Sequence, residues 1–108
     1  FHGVNVESEL IVGVGRLITF WNRVEVRPPM TFGLTLTGVR GMKILQFPGC
    51  HMEEGTFDAD VVVIPEIIVD DLQVAPDLML RSLFDYLWQG GGWPASPYYR
   101  ADGRWRER

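Results

Sequence analysis

The sequence predicts an α+β domain: an antiparallel sheet of about three strands, two helices packed on one face of it, and an aromatic clasp at the C-terminal end. Three observations predict this class. Apolar residues recur at helical spacing in two segments, one near the N-terminus and one after Pro76. Residues 31–37 alternate between apolar and polar. Residues 61–69, VVVIPEIIV, form a β-branched run that is apolar at nearly every position.

The first helix is predicted over Glu7 to Asn22, where Leu10, Val14, Leu17, Ile18 and Trp21 make the buried stripe, with Glu7, Glu9, Arg16, Thr19 and Arg23 largely on the other side. Asn5 or Ser8 is placed to cap its start. Gly13 and Gly15 each weaken its middle by about 1 kcal/mol relative to Ala, so packing of the stripe must compensate. Pro28-Pro29 ends any helix and leads into an extended segment. From Thr31 to Thr37, Phe32, Leu34 and Leu36 share one face while Thr31, Gly33, Thr35 and Thr37 share the other. Gly38 to Gly41 reads as a turn, and Met42 to Phe47 as a returning strand, which makes a hairpin.

Pro48 to Asp60 is a polar, glycine-containing loop. In the strand from Val61 to Val69, Pro65 has no ladder N–H to donate, which favours an edge or a bulge. A strand apolar on both faces needs cover on both, and two helices in so short a chain shield one. The expectation is that something outside the chain covers part of the other face. Asp70-Asp71 ends the strand, and Pro76 suits the first turn of a second helix. Leu80, Leu83, Phe84, Leu87 and Trp88 form its buried stripe, with Asp77, Arg81, Asp85 and Gln89 outside; Gly90-Gly91-Gly92 stops it. Beyond that helix, Trp88, Trp93, Tyr98, Tyr99 and Trp105 are rings that lower free energy mainly when packed, and Pro94, Pro97 and Asp102-Gly103 set turns that bring them back.

With 108 residues the chain is long enough for one core and too short for two, so residues 1–108 read as a single domain. A hydrophobic content of 46% with 22% charge is ordinary for a globular protein, and no apolar run reaches the length of a membrane span. The start, FHGVNVES, has no Met, basic n-region or signal-peptide core, and the expectation is a C-terminal piece of a longer protein. The lone Cys50 makes no internal disulfide, which is compatible with a reducing compartment, and a cytoplasmic location is expected. Residues 1–99 carry six basic and twelve acidic side chains, net −6, whereas residues 100–108 are net +2. A polyanion would find only the tail attractive.

Four constellations invite a chemical reading. LIVGVGRLI at residues 10–18 has the Gly-x-Gly of a dinucleotide-binding turn but Ile18 where a third small residue belongs. Cys50-His51 with Glu53 and Glu54 offers metal or nucleophile chemistry without the second ligand pair or the orienting partner either requires, and no cofactor or metal is expected. Asp58, Asp60, Glu66, Asp70 and Asp71 flank the apolar strand, where a carboxylate pair could serve a hydrolase; without a phosphate-cradling motif they read better as solubilising charges. The tail interleaves rings with bases, and Tyr99, Arg100, Arg104, Trp105 and Arg106 are the candidate contacts to single-stranded nucleic acid.

The segment VVVIPEIIVDDLQVAPDLMLRSLFDYLWQGGGWPASPYYRADGRWR resembles the C-terminal region of bacterial Schlafen/AlbA-like DNA-binding proteins, often described as ATP-binding. The residues that carry the resemblance are Ile67 to Asp71, Pro76, Leu83 to Trp88, Ser96 to Tyr98 and Asp102 to Trp105; upstream, ITFWNRVEVRPPMTFGLTLTGVRGMKI is similar to the helix, link and strand that precede this region. Ala75 departs from the acidic residue usual before the proline, and Gly90 to Gly92 is richer in glycine. The resemblance implies a non-catalytic accessory domain that packs on its own N-terminal domain or on a homodimer partner, with nucleic acid reached through the parent protein. It transfers no functional residue to this chain.

Overall fold

A computed structural model gives the structure of the protein and describes residues 1–46 and 56–106. The elements follow in the order α1 (Gly3–Arg23), β1 (Met30–Thr37), β2 (Val61–Val69), α2 (Pro76–Met79) and α3 (Arg81–Gly90). The class is α+β, as the patterning predicts, but among the described residues the sheet has two antiparallel strands rather than three and there are three helices rather than two.

α1 begins four residues before the predicted Glu7, and its N-cap is His2, with no side-chain bond to the helix, not Asn5 or Ser8. Backbone pairing fixes the start instead. The Gly3 N–H donates to the Leu45 carbonyl at 3.1 Å and the Leu45 N–H to the Phe1 carbonyl at 2.7 Å, so His2 is bridged to Leu45. Within the predicted stripe Val14 and Ile18 are buried, Leu10 and Trp21 are half-buried and Leu17 is exposed, because the buried row runs on to Gly3 and Glu7. Gly3 lies against the Trp88 ring, where any Cβ would collide. Of the mid-helix glycines, a Cβ at Gly15 would make ordinary contact with Pro76 and one at Gly13 would meet nothing.

The predicted hairpin does not form. β1 pairs with β2, from Met30 opposite Val69 to Thr37 opposite Val61, and residues 42–46 contribute only the Leu45 bridge to His2; Phe47 lies outside the described residues. The turn itself exists, with Gly38 and Gly41 at φ of +68° and +78°, yet it carries the chain away from β1. The Gly41 N–H donates to the Phe57 carbonyl at 2.8 Å and the Phe57 N–H to the Met42 carbonyl at 3.0 Å. Arg40 reaches the Asp58 carbonyl at 3.0 Å and the Asp60 carboxylate at 3.6 Å. β2 offers seven β-branched residues in nine positions, against Ile44 alone in 42–46, so it is the stronger strand partner.

Midway along β2 the register shifts between Phe32 and Leu34, leaving Pro65 and Glu66 together opposite Gly33. This is a bulge on an edge strand, so both settings that Pro65 favours are met. Its effect on the core is decisive, because strict alternation from Val62 and Ile64 would turn Glu66 inward. The extra residue instead sends Ile67 and Val69 to the inner face and leaves Glu66 exposed. Under that inner face lies α3, whose predicted stripe of Leu80, Leu83, Phe84, Leu87 and Trp88 is buried throughout, each large side chain contributing about 1.5–3 kcal/mol.

The single predicted second helix is broken at Leu80. Pro76 stands in the first turn of α2, as expected, but the Asp77 carbonyl accepts the Tyr99 hydroxyl at 2.6 Å, and the chain re-enters a helix only at Arg81. Gly90 is the last residue of α3, and Gly92, at φ +92°, turns the chain out. Among the described residues no helix is long and apolar enough to cross a membrane.

Candidate functional site

The C-terminal rings close over α1 and α3 around one carboxylate, that of Glu7, which is fully buried. The Trp88 indole N–H donates to Oε2 at 2.7 Å and the Trp105 indole N–H to Oε1 at 3.1 Å. The Ser96 hydroxyl lies 2.9 and 3.0 Å from the two oxygens. Burial pushes the Glu7 carboxyl up to about 7, with the nearby Asp85 charge adding to the rise and the three donors opposing it. Ser96 is itself positioned by its N–H, which donates to Asp85 at 3.0 Å. The Trp93 ring packs edge-on against Trp88 at 4.9 Å between centroids, and its N–H reaches the Ile44 carbonyl at 3.1 Å.

A second carboxylate, Asp77, expected outside, is buried at the start of α2. Arg104 grips it through Nε at 2.8 Å and Nη2 at 3.2 Å, and the Trp105 N–H donates to it at 3.1 Å. Burial pushes its carboxyl up, but the Arg104 and Trp105 hydrogen bonds together with the Arg104 charge outweigh this and hold it below its ordinary value. Tyr99 stands between the two nodes, with Arg81 over its ring at 5.1 Å. Burial, then the charges of Glu7, Asp77 and Asp85, push its phenol up.

Among the five candidate nucleic-acid contacts, Tyr99 and Trp105 are half-buried with their polar atoms engaged inward, and Arg104 is held by Asp77. Arg100 and Arg106 are exposed on the same small hairpin, where Tyr99 bridges Trp105. The Gly13-x-Gly15 segment lies inside α1, with no strand or turn leading into it, so it builds no phosphate cradle. Cys50, His51, Glu53 and Glu54 lie outside the described residues, and among those described no three His, Cys, Asp or Glu gather as a metal site. Asp58 and Asp60 stand before β2 and Asp70 and Asp71 after it, about 30 Å away along the strand, so the two pairs do not converge.

One further surface stands out. The face of the sheet turned away from the helices carries Val61, Val63 and Ile68 at 57%, 70% and 75% exposure, alongside Thr31, Thr35 and Thr37. It continues into a shallow depression lined by Ile68, Val69, Asp70, Asp71, Val74 and Met79. Glu7, Asp77 and Ser96 are the residues that sequence reasoning misses. Glu7 did carry a signal: it precedes Leu10 by three and Val14 by seven, which places it on the buried row. No protein-family model, curated protein or solved structure matches this chain.

Proposed function

We propose that the chain is a non-catalytic interaction domain that docks through the outer face of its sheet onto another domain of its parent protein. The observation that carries this reading is the exposure of three β-branched side chains, Val61, Val63 and Ile68, on a face that no helix covers among the described residues. The buried carboxylates support it from the other side: Glu7 and Asp77 bind the tail to the helices and present nothing to a solute. The resemblance to the C-terminal region of Schlafen/AlbA-like proteins fits the same role, the accessory domain beside a nucleic-acid-binding one. Replacing Val63 and Ile68 by Lys tests the docking. The expected result is an intact fold by circular dichroism with loss of protection from surface labelling on this face in the parent protein. If the face is labelled equally in parent and isolated chain, the reading fails.

A second reading, a nucleic-acid contact through the tail, rests on Arg100 and Arg106, both exposed at one end of the clasp. Titration with single-stranded DNA at two salt concentrations decides it: binding must weaken with salt and fall in an Arg100→Ala, Arg106→Ala variant.

A further inference from the structure

Among the described residues the sheet has two strands, each with an unpaired edge, and the two edges are built differently. β2 is blunted by Pro65, by the bulge at Pro65 and Glu66, and by Asp58, Asp60, Asp70 and Asp71 at its ends. β1, MTFGLTLT, holds no charge and no proline. Among the described residues no backbone group outside the β1–β2 ladder bonds to Met30–Thr37. An uncharged, regular, eight-residue edge of this kind is a template for another strand.

The core also thins toward that edge. Of the four inward residues of β2, Ile64 and Val69 are buried and Val62 and Ile67 half-buried, whereas on β1 Phe32, Leu34 and Leu36 are all only half-buried. α1 places Trp21 against Phe32, with ring centroids 6.0 Å apart, and beside Trp21 the helix exposes Leu17 and Phe20, followed by its exposed C-cap Val24. Both backbone and side chains are therefore incomplete on the same side of the molecule.

We infer that the chain dimerises by antiparallel pairing of β1 with β1 of a second copy, giving a four-stranded sheet in the order β2, β1, β1, β2. The strand is complementary to itself. About a two-fold axis through Gly33 or Leu34, the half-buried residues Phe32, Leu34 and Leu36 meet their counterparts on the inner face and the threonines meet on the outer face. A one-residue slip would set leucine against threonine, so the pattern fixes the register parity. Charge selects the same edge, since copies of net charge −4 meet at β1 without an opposed charge, while a β2 pairing would gather Glu66 and the four flanking aspartates. The assembly then closes, because only the blunted β2 edges remain outside.

This pairing uses the strand edge and is independent of docking through the sheet face. The test is sedimentation of the whole chain over a concentration series, together with amide exchange along β1. The expected species has twice the 12.3 kDa chain mass, and consecutive amides from Thr31 to Thr37 are slow, because alternate N–H groups face β2 and the rest face the second copy. Thr35→Lys, on an exposed position of β1, is expected to restore the monomer and alternate protection, while the Val63→Lys, Ile68→Lys variant stays dimeric. Three results would overturn the inference: a monomer with alternate protection at every concentration, a dimer that survives Thr35→Lys but not the face variant, or continuous protection that arises only in the presence of another protein, whose strand then occupies the edge.

Discussion

Glu7 carries the main pH dependence expected of this chain. Its folded-state value, about 7, stands above the 4.5 of an ordinary glutamate, so between these values the folded state holds the extra proton. Stability from this group is complete below about pH 4.5 and falls as pH rises through 7, by about 3 kcal/mol in all. Asp77 acts in the opposite sense: held below its ordinary 3.8, it contributes stability above that value and loses it as pH falls through the lowered one. The optimum therefore lies on the mildly acidic side. Urea unfolding at about pH 5 and about pH 8 should show the lower midpoint at the higher pH, and Glu7→Gln should flatten that difference. An unchanged profile in the variant would assign the dependence to other groups. The rings of the clasp were legible in the sequence because large aromatics demand burial whatever their partners. Their partner was not, since a glutamate is assigned to water by type unless its place on the helical row is weighed more heavily.

Among the elements, the bulge in β2 has the clearest mechanical role. Pro65 is the extra residue, and its deletion leaves Glu66 opposite Gly33, facing out, with Ile67 and Val69 still inward. The fold should survive with its thermal midpoint within a few degrees. The β2 edge, however, becomes a regular strand, and light scattering should detect species larger than those of the parent chain. If the deletion unfolds the domain, the bulge sets the register rather than guarding the edge. Strand positions and the bulge could be read from alternation and from a proline in a β-branched run. The pairing could not, because Gly38 and Gly41 are local signals for a tight return, while the true partner of β1 lies beyond residues 38–60. Similarly, Pro76 announced a helix, but its break at Leu80 coincides with a hydroxyl from Tyr99 that no local pattern could place.

At the scale of the whole molecule the tail is a wall of the core. A chain ending at Gly92 lacks Ser96, Tyr98 and Trp105, leaving the Glu7 carboxyl and the Trp88 ring facing solvent on that side. It should bind a hydrophobic dye and lose its near-ultraviolet circular dichroism. A cooperative, dye-free transition in that truncated chain would show the clasp to be peripheral. The α+β class and the apolar excess of β2 were legible because composition and periodicity are summed over many residues; the open face is the part of that excess that α3 does not cover. The carboxylate at the centre of the clasp also orders events during synthesis. Glu7 bonds to residues 81, 89 and 98 positions further along, so α1 leaves the ribosome with its inward row and its acid both unmatched. The set of bonds to Glu7 is complete only once Trp105 has emerged, so closure of the core is expected to follow synthesis of the clasp rather than of α1.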